Sequence, residues 1–299
     1  MSIRAALISF IMKQTIKRQF DSLDDVATFR EQMAGAGALG ASTPSDVAVV
    51  PVELKGVACE WVTRGDTDQN QVLVYFHGGG YVFGSPESHR ELAWRLAELT
   101  GIRVLMVDYR LAPEHPFPAA IDDATACYRG LLDEGFEARN IAFGGDSAGG
   151  GLAAAALLNL KNLGLPQPRC AVLLSPWVDL TQSGESIQVN QDAEAILTPK
   201  ALQTMANKYL GDLDPAAPLA SPLFGELSGL PPMLIHVGST EILRNDAERF
   251  HNKINLAGGE SELTVWKKMP HVFQVFASRI PEGKTAIVEL ADFLKTKLA

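Results

Sequence analysis

The chain has 299 residues, enough for one large α/β domain with an appended cap, and at that size roughly three quarters of the unfolded surface should be buried. Hydrophobic residues make up 46% and charged residues 20%, the balance of an ordinary globular protein, and a net charge of −9 without a basic stripe argues against a nucleic-acid partner. Cys59, Cys127 and Cys170 are odd in number and far apart, which argues against a disulfide framework, a C-x-x-C metal site or a redox motif and leaves buried free thiols.

Residues 3–12 are apolar, but Lys13, Lys17 and Arg18 follow them with no small-residue cleavage site, and the run is too short to span a bilayer. Ile3, Leu7, Phe10 and Ile11 recur at helical spacing, which predicts an amphipathic helix over 3–18 with that face laid on the protein, in a cytoplasmic chain. A second helix is expected over 22–34, with Ser22 as its N-cap and Asp25 three positions on. Gly35-Ala36-Gly37-Ala38-Leu39-Gly40 then breaks the pattern, so the opening segment should pack on the main body as a movable piece.

Residues 47–54 and 57–63 read as extended segments around Lys55-Gly56, an antiparallel pair at the start of a sheet. Strands follow at 72–77, 103–108, 140–145, 170–175, 232–237 and 262–267, separated by helices near 88–100, 119–134, 148–163, 198–210 and 243–257, with a last helix at 284–297. This alternation predicts an α/β fold, a mostly parallel sheet of about eight strands with helices on both faces and ligands bound beyond the carboxyl ends of the strands.

At the end of the strand 140–145 the chain reads Gly144-Gly145-Asp146-Ser147-Ala148-Gly149-Gly150 and passes into a small-residue helix. Gly145 and Gly149 flank Ser147 in a G-x-S-x-G pattern, whose tight turn strains the serine and leaves no room for side chains beside it. Ser147 is the candidate nucleophile. His77-Gly78-Gly79-Gly80 follows the strand 72–76; the N–H groups of Gly78 and Gly79, with that of Ala148, form the candidate oxyanion hole for a tetrahedral intermediate, while His77 reads as structural. Arg110 and Glu114 read as an ion pair supporting a loop stiffened by Pro113, Pro116 and Pro118.

His271 lies in Met269-Pro270-His271-Val272-Phe273, past the last strand and after the serine, where a general base belongs. The acid should fall between the two, past 233–237, where Glu241 is preferred and Asp246 is the alternative acid or a support behind it. No metal site is expected.

Together these strings resemble the bacterial hormone-sensitive-lipase-like carboxylesterases, a family within the α/β-hydrolase fold. The likeness covers nearly the whole chain and rests on His77-Gly78-Gly79-Gly80, Tyr109-Arg110-Leu111-Ala112-Pro113-Glu114, Gly145-Asp146-Ser147-Ala148-Gly149, Ser175-Pro176-Trp177, Pro218-Leu219-Ala220-Ser221-Pro222 and the His271 loop. It implies hydrolysis of short- to medium-chain acyl esters, with no cofactor, through a Ser147-His271-Glu241 triad and an acyl-enzyme. It also implies a catalytic domain of residues 46–180 and 216–299 and a cap built from 1–45 and 181–215, with pairing into homodimers through the last-strand edge. Tyr81, Asp146 and Trp177 are the expected substrate-binding residues, with Phe10 and Ile11 of the cap as further walls and Asp146 also anchoring the turn. Two positions depart from the family pattern: its Asp-Pro-Leu is here Glu241-Ile242-Leu243, and its glycine after the histidine is Val272. Rival readings are a non-catalytic small-ligand receptor on the same fold, which would lack the working histidine, and an amidase or lactonase, which the same triad permits.

Overall fold

Val72, Val74 and Phe76 alternate with Leu73 and Tyr75, and all five are buried, so this strand must be covered on both faces. The computed structural model describes residues 1–20, 23, 25–37 and 43–299, with the main chain alone for 33–37. Its strands are β1 (Val47–Leu54), β2 (Val57–Arg64), β3 (Asp68–Phe76), β4 (Ile102–Val107), β5 (Ile141–Asp146), β6 (Cys170–Leu174), β7 (Met233–Gly238) and β8 (Ser261–Trp266). They form one sheet in the order β1-β2-β4-β3-β5-β6-β7-β8. β1 and β2 pair antiparallel, β2 runs antiparallel to β4, and every later pairing is parallel.

The helices are α1 (Ile3–Gln14), α2 (Ile16–Phe20), α3 (Val26–Gly37), α4 (Pro86–Thr100), α5 (Ala119–Asp133), α6 (Ala148–Asn162), α7 (Ser186–Val189), α8 (Pro199–Leu210), α9 (Arg244–Leu256) and α10 (Pro281–Leu298). α5, α6 and α9 share a core with Val72, Val74 and Phe76; α4 and α10 share the opposite core with Leu73 and Tyr75. The register sets the site: Phe76 lies opposite Gly145 and Asp146 opposite Leu174, so the loops leaving β3, β5 and β6 emerge side by side.

The opening segment departs from expectation. The helix predicted over 3–18 is two helices, separated at Thr15, whose N–H and Oγ1 both donate to Ile11 O (3.0 and 2.9 Å). Ser22 lies outside the described residues; Asp25 caps α3, its Oδ1 accepting from the N–H groups of Ala27 (3.1 Å) and Thr28 (3.3 Å). Gly35 does not end that helix, which continues through it to Gly37.

The inward face of α1 is also not the predicted one. Ile3, Leu7, Phe10 and Ile11 are 90%, 58%, 63% and 49% exposed, whereas Ala5 and Met12 are buried. The cause is close docking: Ser2 caps α1 and bonds Glu282 of α10, and at that approach the small Ala5 fits against Met269, Phe273, Ile280 and Ala286. No described helix is long and apolar enough to cross a membrane.

Candidate active site

The turn between β5 and α6 is shaped by what cannot be there. A Cβ on Gly145 would lie 2.3 Å from Gly149 O, one on Gly149 2.1 Å from Phe76 O, and one on Gly151 2.1 Å from Trp177 O. Glycine at these positions lets α6 start hard against β3 and the loop after β6, and Ser147 takes up the strain at φ 53°, ψ −122°. Its N–H donates to Leu174 O (2.9 Å) and its carbonyl accepts from Trp177 N–H (2.9 Å), so the backbone is held while the side chain is left unbonded.

His271 and Glu241, thirty residues apart in the chain, meet directly. His271 Nδ1 donates to Glu241 Oε2 at 2.8 Å, and Glu241 Oε1 accepts from Ser175 Oγ (2.8 Å) and from Gly238 N–H. Ser175 Oγ also accepts from Val272 N–H (3.2 Å), so one hydroxyl braces both the acid and the loop of the base. Burial alone would push the His271 pKa down; the Glu241 hydrogen bond and charge, with the Glu194 and Asp146 charges, outweigh it and raise the pKa above 6.5. With the proton on Nδ1, Nε2 is left as the acceptor. Among the described residues no hydrogen bond joins it to Ser147 Oγ; both atoms lack protein partners and neither is a sealed, unpartnered atom. The loop after β6 connects the two, Trp177 bonding the nucleophile's turn and Ser175 the loop of the base.

Asp246 does not reach the imidazole. It stands in the first turn of α9, and its Oδ2 accepts from the N–H groups of Val178 (3.0 Å) and Asp179 (2.9 Å). Burial, with the Asp179 charge adding to it, pushes the Asp246 carboxyl well above the usual carboxylate range. Its place is to hold the loop after β6.

In the glycine loop the Gly78 N–H donates to Asp146 Oδ1 (3.1 Å), whereas the N–H groups of Gly79, Gly80 and Ala148 donate to no group among the described residues. Asp146, expected to bind substrate, is 2% exposed and fully engaged: Tyr75 OH donates to Oδ1 (3.0 Å) and His89 Nε2 lies 3.2 Å from Oδ2. Burial would raise its pKa, but the charge and hydrogen bond of His89 and the bond from Tyr75 bring it below the ordinary value. His77 is structural as expected, its Nδ1 donating to Gly78 O (2.8 Å) and its ring stacked on Tyr109; burial lowers its pKa to about 4.

α8 and α3 close on this loop. Met205 of α8 lies against Gly80, and Tyr209 stacks on Tyr81 at 3.8 Å with planes 4° apart. Tyr81 and Trp177 are consequently walled in, 1% and 0% exposed, whereas Phe10 and Ile11 are largely exposed. From α3, Arg30 donates to Val82 O (2.7 Å), to Ala112 O (2.8 Å) and to both oxygens of Glu114 (2.8 Å each). Glu114 thus pairs with Arg30 and not with Arg110, whose guanidinium binds Asp123 at 2.7 Å. Sequence reasoning missed a further carboxylate, Glu194, which is 1% exposed and accepts from the N–H groups of Ile196 (2.9 Å) and Ile242 (3.0 Å). It lies between α7 and α8 and bonds the residue next to Glu241; no local motif marks it.

A family model described as α/β hydrolase fold matches residues 73–275. The chain is 43% identical over 253 residues to an acetyl-hydrolase of Streptomyces hygroscopicus, covering 85% of this chain and 83% of that one. It is 40% identical over 248 residues to an esterase of Acinetobacter venetianus, covering 83% and 82%. The crystal structure of an esterase from the bacterial hormone-sensitive lipase family matches with a TM-score of 0.92 and 40% identity, over 100% of this chain and 99% of the other. Catalytic relatives over nearly the full length set the receptor reading aside, and the chain belongs to the bacterial hormone-sensitive-lipase-like carboxylesterases of the α/β-hydrolase fold.

Proposed function

We propose that the esterase reaction runs through Ser147, His271 and Glu241 on short- to medium-chain acyl esters. The observation that carries this reading is the 2.8 Å bond from His271 Nδ1 to Glu241, which leaves Nε2 unprotonated and unbonded. Ser147 Oγ attacks the ester carbonyl carbon as Nε2 takes its proton. The bond to the alcohol oxygen then breaks and His271 returns the proton to that oxygen, leaving an acyl-serine. Water, deprotonated by the same nitrogen, attacks the acyl carbon; the acid departs and Ser147 regains its hydrogen. The Ser147–His271 hydrogen bond is made with substrate in place, as such bonds tighten in the reacting complex.

The Gly79 and Ala148 N–H groups hold the oxyanion, while the Gly78 N–H, taken by Asp146, sets the loop that carries them. Residues 1–45 and 181–215 act as a cap over a catalytic domain of 46–180 and 216–299, supported by the contacts of α3 and α8 with the glycine loop. The likeness to an acetyl-hydrolase and the walled-in Tyr81 support a preference for small acyl groups.

A chain-length series of aryl esters tests the reading. Ser147→Ala should lower kcat by about 10⁶-fold and Glu241→Ala by about 10⁴-fold. Asp246→Ala should act through a lowered melting temperature, with kcat of the folded fraction retained. If the Asp246 change lowers kcat of folded enzyme more than the Glu241 change, the assignment of the acid is wrong.

A further inference from the structure

α1 is built with its greasy side out. Ile3, Leu7, Phe10 and Ile11 occupy one side of the helix, all between 49% and 90% exposed, while Ala5 and Met12 on the other side are buried. Soluble surfaces scatter large apolar side chains singly; four on adjacent turns of one helix mark a face that something covers.

Charge identifies what covers it. Residues 1–20 contain Arg4, Lys13, Lys17 and Arg18 and no aspartate or glutamate, in a chain whose net charge is −9. Arg4 and Arg18 are exposed toward the two ends of the segment; Arg4 has no partner among the described residues, and Arg18 bonds the neutral amide of Gln14 (2.9 Å). Lys13 and Lys17 donate to main-chain carbonyls of residues 191–194. An apolar stripe flanked by basic side chains, on a helix of 12 residues, suits an orientation in the plane of a lipid surface and not across it.

We propose that α1 is a docking face for an anionic lipid surface, with Ile3, Leu7, Phe10 and Ile11 entering the headgroup boundary and Arg4 and Arg18 meeting lipid phosphates. The position gives this a purpose. The inner side of α1 packs on Met269 and Phe273, on either side of His271, so docking would set the cap and the loop of the base against the phase from which amphiphilic esters are drawn. The docking itself does not depend on the triad, and its test is made on catalytically silenced protein.

The test is flotation of full-length Ser147→Ala protein with phosphatidylcholine vesicles, with and without phosphatidylglycerol, at low and high salt. The expected result is salt-sensitive flotation with the phosphatidylglycerol vesicles. Adding Ile3→Ser and Leu7→Ser should weaken partition by about tenfold or more, and adding Arg4→Glu and Arg18→Glu should abolish the preference for anionic lipid. The same substitutions in the Ser147 background should leave turnover of a water-soluble aryl ester unchanged, which shows that the proteins are folded. Absence of flotation, flotation indifferent to the Ile3 and Leu7 changes, or equal flotation with neutral lipid would overturn the proposal. So would sedimentation showing that this face joins two copies of the chain, in an association lost on Ile3→Ser and Leu7→Ser.

Discussion

His271 sets the pH dependence of the proposed reaction. The imidazole works as a base only when neutral, and since Glu241 raises its pKa above 6.5 it is protonated and idle over a wider acid range than a free histidine. The acid limb of kcat/KM should therefore have its midpoint above pH 6.5, with activity rising as pH rises through it. Glu241→Gln removes the charge, so the limb should move to lower pH while the plateau falls by about 10⁴-fold; a pH–rate profile of both proteins, with no shift between them, would refute Glu241 as the partner. The meeting of His271 with Glu241 was legible from the sequence, as was the proposed place of Ser147 beside them, because each follows the end of an apolar strand, and parallel strands bring such ends together. Asp246 was the harder case, since two carboxylates five residues apart look alike until the phase of α9 turns one toward Val178 and Asp179 and leaves the other facing the imidazole.

The elements around the site tolerate little change. Because a methyl on Gly149 would meet Phe76 O at 2.1 Å and His77 O at 2.4 Å, Gly149→Ala should destabilise the fold by about 1–3 kcal/mol, read as a fall in melting temperature, and lower kcat by shifting α6. The segment between α7 and α8 is fastened to the Glu241 loop by Glu194 and by Asn190, whose Nδ2 donates to Glu241 O (2.8 Å). Removing Glu194 leaves two buried N–H groups unsatisfied, so Glu194→Ala should cost about 1–3 kcal/mol in stability. It should also lower kcat/KM, with Glu194→Asp restoring part of it; unchanged kinetics in a destabilised protein would make Glu194 a support of the cap alone. The glycines of this turn could be read as a pattern because their constraint is local. Glu194 could not, since the partner that ties it to the Glu241 loop, Ile242, lies 48 residues away in another segment.

Across the whole molecule the sheet and the core on its α4 and α10 face are independent of the first helices, whereas the opposite core, which takes in Met12 and Phe20, and the site are not. Deleting residues 1–20 removes Ala5 from Met269 and Phe273 and the two lysines from residues 191–194, while the sheet keeps its helices on both faces. Such a truncation should retain the far-UV spectrum of the parent, melt at lower temperature and lose kcat/KM for every ester of the series; full activity would show that α1 and α2 play no part in shaping the site. Strand and helix positions were readable along the chain because they rest on periodicity, glycine turns and alternation, all properties of short windows. Pairings across elements were not: Glu114 found Arg30 in place of Arg110, the Gly78 N–H found Asp146, and the apolar stripe of α1 turned outward. Hydrophobic spacing says that a helix has two sides, but which side is buried depends on how its neighbour approaches, and α1 sets Ala5, with Ile8 packed beside it, against α10 and the His271 loop.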